Sequence, residues 1–263
     1  MPRFMNRTTL RSISIFSTAF ASKMDTTPPP VRKYVPRNPD GPFPYSKADL
    51  TPMDPGQDST FYTVPRFVTH IDDNAIVHLK KYYEQALPKK GRILDFCSSW
   101  VSHYPQEIIN AVESGDLHVL GMGMNKSELG QNPVLESWSV QDLNEDLDVR
   151  LPGPDRGEVD ASTCVVSIDY LTKPVEVLSS IRHVTKKGGR IHLVISNRCF
   201  PTKAISRWLK IDENDRLEMV GDYLWWSGWR SIEIHTLVES SWTKDPLWVV
   251  SAETIAYDNG RVL

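Results

Sequence analysis

No run of apolar residues in this 263-residue chain approaches the roughly 18 to 20 positions a helix needs to cross hydrocarbon, so no stable membrane insertion is expected. A long basic run is also lacking. Thirty Lys and Arg against 33 Asp and Glu leave a formal charge of -3, with nothing to concentrate the potential that a phosphate backbone requires, which excludes nucleic acid as an expected partner. Cysteine is scarce: Cys97, Cys164 and Cys199 show no C-x-x-C spacing, which argues against a disulfide framework or a zinc knot, and no metal is expected. Internal repeats are absent.

Proline, by contrast, is concentrated. Residues 25–60 hold nine of the 19 prolines, from Pro28 to Pro55, and a residue without a backbone donor suits neither helix nor sheet interior, so this stretch reads as an extended arm. Ahead of it, residues 1–24 carry Arg3, Arg7, Arg11 and Lys23, many Ser and Thr, and no acid before Asp25. Positive charge interleaved with Phe4, Ile13 and Phe16 is the pattern of an organelle transit peptide, mitochondrial by expectation with a plastid as the alternative address. A single domain over 61–263 follows.

Within that domain Asp72 and Asp73 precede Ala75, Ile76, Leu79, Tyr82, Tyr83 and Leu87, apolar positions three and four apart that predict a helix ending near Pro88. Short apolar runs then alternate with helix-like stretches: 92–97, 118–124, 138–142, 161–169 and 190–196 read as strands, Pro174–Val184 as a helix, and Lys186 to Gly189 as the turn between the last two strands. Further helices are expected over Pro201–Lys210 and Arg216–Tyr223, and a terminal strand pair over 231–237 and 247–253. Such alternation indicates βαβ units and a parallel sheet covered on both faces.

Three stretches give the order a family likeness. Ile93-Leu94-Asp95-Phe96, Gln141-Asp142-Leu143 and Val165-Val166-Ser167-Ile168-Asp169-Tyr170-Leu171 resemble the first, third and fourth strands of the class I S-adenosylmethionine-dependent methyltransferase superfamily, type 11-like, over residues 75 to about 255. The resemblance implies a Rossmann-like α/β fold, a mostly parallel seven-stranded sheet with an antiparallel C-terminal edge hairpin, and S-adenosylmethionine as cofactor. Cys97-Ser98-Ser99-Trp100-Val101 stands where the family has its glycine-rich loop, and with His103 it is similar to a plant and algal-type subgroup with a glycine-poor loop. A cofactor there requires Trp100 and Val101 to leave the space open, with the Ser hydroxyls bonding an amino-acid carboxylate.

The same resemblance implies cofactor contacts at Asp95, Cys97, Ser98, Ser99, Gly123, Asn125, Asp142, Leu143 and Ser167. Gly123 occupies the place of the family's ribose-binding acid, and Asn125 is the substitute for it; Asp142 faces adenine, or else caps a turn. Asn197 and Arg198, with Asp169, follow strands whose ends should border the substrate. Tyr62 and Arg66 precede the first domain helix in a segment that can close over the site. His103 and Tyr170 are the candidate catalytic residues, His103 as a general base or a structural histidine. Trp225, Trp226 and Trp229 form an aromatic cluster that either lines a pocket or fills the core.

The expected activity is methyl transfer to an unidentified small molecule; the alternative is a catalytically inactive methyltransferase-like protein that binds or assembles with a protein partner. No Asn-Pro-Pro-Tyr motif is present to suggest a nucleobase or protein-amide acceptor, and no Gly-x-Gly-x-x-Gly follows the first strand to cradle a dinucleotide. A reporter fused to residues 1–24 should enter mitochondria; one that stays in the cytosol retires the targeting expectation.

Overall fold

A computed structural model describes residues 30–154, 157–241, 243–255, 257–258 and 261–262; the expected transit peptide lies outside them. Among these residues the central sheet has eight strands: β1 (Val31–Lys33), β2 (Gly91–Phe96), β3 (Leu117–Gly123), β4 (Ser137–Val140), β5 (Val159–Val165), β6 (Thr185–Ile195), β7 (Arg230–Val238) and β8 (Leu247–Glu253), in the order β1-β7-β8-β6-β5-β2-β3-β4. From β4 to β6 every pairing is parallel; β8 runs antiparallel to β6 and to β7. This is the Rossmann-like arrangement with a reversed edge pair that the sequence suggested. A short antiparallel pair, β9 (Tyr257–Asp258) and β10 (Arg261–Val262), follows.

The eighth strand comes from the proline-rich arm. β1 pairs antiparallel with β7, so the arm extends the expected seven-stranded sheet by one. Behind it Tyr34 is buried and donates to Asp222, which also accepts from Tyr45. A Cβ on Gly221 would collide with the Tyr34 ring, so glycine at this point of helix α6 (Glu213–Trp226) is what lets the arm lie flat. Trp225 and Trp226 donate to the carbonyls of Pro39 and Gly41, while Trp229 is buried and donates to Leu178. The tryptophan cluster thus anchors the arm and fills the core.

Helices cover both faces. One is α1 (Asp58–Phe61), a single turn at the end of the arm; α2 (Asp73–Ala86) begins where the Asp72 carboxylate accepts from the Ala75 amide, satisfying a donor that the first turn leaves unpaired. Its buried side chains, Ala75, Leu79, Tyr82 and Tyr83, are the expected stripe. α3 (Gln106–Glu113), α4 (Lys126–Leu129) and α5 (Pro174–His183) follow β2, β3 and β5, and Val177, Leu178 and Ile181 of α5 face inward. Lys186 to Gly189 lie within β6 rather than ahead of it: the register jumps from Val159↔Thr185 to Ala161↔Arg190, and Gly188 has a φ of 75°.

The helix expected over Pro201–Lys210 is instead a chain of turns. Three of its amides are claimed from elsewhere, Ile205 donating to Asp169, Ser206 to Thr51 and Arg207 to Asp49, while Lys203 and Ala204 donate to Phe200 and Trp208 to Ile205, so local turns interrupted by long-range bonds take the place of a continuous i→i−4 ladder. Gly221→Val should unseat the arm, lower stability by about 1–3 kcal/mol and expose residues 30–45 to protease in limited digestion; an unchanged cleavage pattern would contradict this packing.

Candidate functional site

The chain order reverses between β2 and β5, which are neighbours although β3 and β4 intervene in sequence. Loops leaving the carboxyl ends of two such strands diverge and open a crevice. A cavity of about 280 Å³ lies there, walled by residues at the end of β2 and after it (Asp95, Cys97, Ser98, Ser99, Val101, His103), at the end of β3 and after it (Gly123, Met124, Asn125, Glu128), after β4 (Gln141, Asp142, Leu143, Asn144), by Val165, Val166, Ser167, Tyr170 and Leu171 of β5 and its exit, and after β6 (Arg198, Cys199, Phe200). Segment 58–70 covers it with Asp58, Tyr62, Arg66, Val68, Thr69 and His70.

The first loop is built on Asp95. This buried carboxylate accepts from Ser98 Oγ at 2.6 Å, Ser102 Oγ at 2.7 Å and Thr163 Oγ1 at 3.0 Å, and Tyr104 completes the chain by donating to Thr163. Burial raises the Asp95 pKa, against the pull of the three hydroxyls. The Ser98 proton is therefore committed to Asp95, contrary to the expectation that it would bond a ligand carboxylate. Cys97 has a φ of 51°, the left-handed backbone that glycine adopts most easily, so the loop keeps a glycine-like path without a glycine. Trp100 turns outward, donating to the Val68 carbonyl at 3.0 Å and packing edge-on to Phe67; Val101 forms wall, and the space stays open.

At the end of β3, a Cβ on Gly123 would collide with the Ser98 carbonyl oxygen. No acid fits there, for a steric reason. Asn125 does not take over: its Oδ1 accepts from the Ser127 and Glu128 amides, capping α4, while its Nδ2 donates to the carbonyls of Tyr62 and Thr63. The carboxylate nearest in sequence on this wall is Glu128, unforeseen from the sequence, whose Oε1 accepts from the Arg66 amide at 2.7 Å and whose pKa is raised by burial. Asp142 lines the cavity and caps a turn through the Asn144 amide at 2.9 Å; burial raises its pKa, with Asp58 and Glu145 adding to the effect. Leu143 is buried in the same wall, and Ser167 Oγ donates to Val165 O.

Tyr170 stacks on Phe200, with centroids 6.0 Å apart, and its hydroxyl accepts from the Phe200 amide at 2.8 Å; burial pushes its pKa upward, so it stays protonated. Arg198 reaches the cavity while paired with buried Asp245 at 2.7 Å. Asn197 is exposed and outside the lining, and Asp169, whose burial lifts its pKa to about 7, is also outside it. Asp58 and Asn144, which the sequence reading passed over, meet across the cover: Asn144 Nδ2 donates to Asp58 Oδ2 at 2.8 Å, and Asp58 pairs with buried Lys203 at 3.1 Å. The signal available in sequence was an acid three residues ahead of Phe61.

Backbone strain is concentrated here. Of the five described non-glycine residues with positive φ, four line the cavity: His70 (62°), Cys97 (51°), His103 (56°) and Val166 (42°). Such conformations cost free energy and persist where the surroundings impose them, which is commonest at functional sites.

Neither a family model nor a curated protein matches the chain. Among solved structures it is similar to S-adenosylmethionine-dependent methyltransferases from Archaeoglobus fulgidus (13% identity, 68% of this chain and 94% of the other, TM-score 0.47) and Mesorhizobium loti (15%, 66% and 96%, 0.45). A TehB-like methyltransferase from Corynebacterium glutamicum is similar at 14% identity over 69% and 87%, with a TM-score of 0.42.

His103 is buried at the cavity, and desolvation holds its pKa down to about 4, making it a poor general base near neutral pH. In the unfolded chain it titrates near 6.5. The unfolded state thus binds more protons between about pH 4 and 6.5, and stability falls as pH drops through that window. His103→Gln should flatten the decline in denaturant midpoint between pH 7 and 4.5; an identical pH profile would rule out a buried neutral imidazole.

Proposed function

We propose that this chain is an S-adenosylmethionine-dependent methyltransferase acting on a small molecule. The observation that carries the proposal is the strained cavity at the switch point of a parallel sheet, the place where open α/β folds bind nucleotide-containing ligands. Its lining is also the right kind of surface. Asp58, Asp95, Glu128 and Asp142 contribute four carboxyl groups against the two guanidinium groups of Arg66 and Arg198, a balance that favours a cationic ligand such as a sulfonium. The sequence likeness over 93–96, 141–143 and 165–171 supports the same reading, and Cys97 to Trp100 with His103 support placing the chain in the glycine-poor plant and algal-type subgroup.

When bound, the cofactor would supply a methyl group activated by positive sulfur. Cys97 to Ser99 would border its amino-acid portion along the glycine-like turn. The carboxylates of Glu128 and Asp142 can accept hydrogen bonds from hydroxyl and amino groups, and buried Leu143 offers an apolar surface to a planar base. With Asp95 committed to three hydroxyls and His103 held neutral, rate enhancement would come from holding methyl donor and acceptor in line and excluding water, rather than from a strong base. Residues 1–24 would deliver the protein to an organelle where the acceptor resides.

The non-catalytic alternative gains nothing from Trp100, the side chain best able to fill the space, because it points out of the cavity. Calorimetry with S-adenosylhomocysteine tests the proposal: binding is expected, and Asp142→Ala should weaken it at least about tenfold, ~1.4 kcal/mol. No heat at millimolar ligand would overturn it.

A further inference from the structure

Arg66 stands apart from the other cations around the cavity. Lys203 is paired with Asp54 and Asp58, and Arg198 with Asp245, but Arg66 forms no ion pair among the described residues. Its guanidinium sits over the rings of Phe61 at 4.5 Å and Phe200 at 5.1 Å, with Tyr62 at 5.9 Å. Nη2 donates to the Phe61 carbonyl at 3.3 Å, whereas Nη1 is buried with no hydrogen-bond partner. Burial of a charged donor without an acceptor is unfavourable, and ring faces attract the charge without replacing the oxygen that each N–H requires. The side chain as a whole lines the cavity, so an anionic group held there pairs a guanidinium charge that no carboxylate of the described residues pairs.

Resting on the methyltransferase reading for the role of the cavity, we infer that the methyl acceptor carries an anionic oxygen group, carboxylate or phosphate, which pairs with Arg66 in the aromatic corner of Tyr62, Tyr170 and Phe200. Charge selects this class. The remaining lining is rich in carboxyl groups that repel an anion, and Arg66 is where an anionic group can enter at a gain. The planar guanidinium presents paired N–H donors, a geometry that suits two-oxygen acceptors. The flanking rings favour an acceptor with a flat apolar body. Arg66 also belongs to the cover, since its amide is bound by Glu128; an anion on its side chain would therefore fix the covering segment from within.

The test is calorimetric titration of the full chain with benzoate, phenyl phosphate and the neutral benzamide, each with and without S-adenosylhomocysteine. At least one anion should bind ten times more tightly than benzamide or better. Arg66→Gln should abolish that preference, Arg66→Lys should retain part of it, and Arg198→Gln should leave it intact, with melting temperatures confirming that each variant is folded. A stronger benzoate signal identifies a carboxylate acceptor and a stronger phenyl phosphate signal a phosphate. Equal binding of benzamide, an anion preference that survives Arg66→Gln, or no binding of any probe overturns the inference. Should S-adenosylhomocysteine give no heat while the Arg66-dependent preference stands, the methyltransferase reading falls and the anion site remains; the reverse result removes the anion site alone.

Discussion

The contact between the backbone of Ser98 and the bare Cα of Gly123 sets the shape of the site. It draws the loop after β2 against the end of β3, with the Ser98 amide donating to the Met122 carbonyl at 2.7 Å, and it forbids any side chain where the two strands end. Asp95 holds the other flank of the same loop through three hydroxyls. A buried carboxylate with satisfied acceptors is a rigid tether, and its loss would leave several buried donors unmet. The loop thus turns through the left-handed Cys97 without a glycine, and carboxyl groups reach the cavity from β2, α4, the loop after β4 and the cover.

Polar groups near the carboxyl ends of the strands also hold the cover in place. Trp100 binds the Val68 carbonyl, Asn125 those of Tyr62 and Thr63, Glu128 the Arg66 amide, and Asn144 and Lys203 the carboxylate of Asp58. These bonds come from the exits of β2, β3, β4 and β6. The cover is therefore fastened along most of its length to the loops that form the cavity floor, and displacement of one loop is felt by the others through a shared lid.

Much of the architecture was legible in the sequence because it depends on local periodicity. Asp72 before an apolar stripe marked α2, and β-branched runs marked the parallel strands to within a few residues. Features that depend on distant partners were not legible. Pro201 to Lys210 has helical composition, but the amides of its middle, Ile205 to Arg207, bond to Asp169, Thr51 and Asp49. Val31–Lys33 lies in a proline-rich stretch and becomes a strand only because β7 offers an unpaired edge. The site divided along the same line. Most of the residues singled out do line the cavity, because strand ends can be located from pattern. Asn197, placed by the same logic, points elsewhere, and the commitments of Ser98 and Asn125, as well as the presence of Asp58, Glu128 and Asn144, follow from pairings across 60 or more residues or from loop geometry.

The docked arm has a bearing on self-association. β1 closes the outer rim of the sheet, and a bare strand there would offer its amides and carbonyls to any other extended chain. Proteolytic trimming that ended before Val31 would leave this guard strand in place, whereas a cut a few residues further on would release a protein with a sticky flank. The position of Val31 thus marks how far the arm can be shortened before the edge of β7 is laid bare.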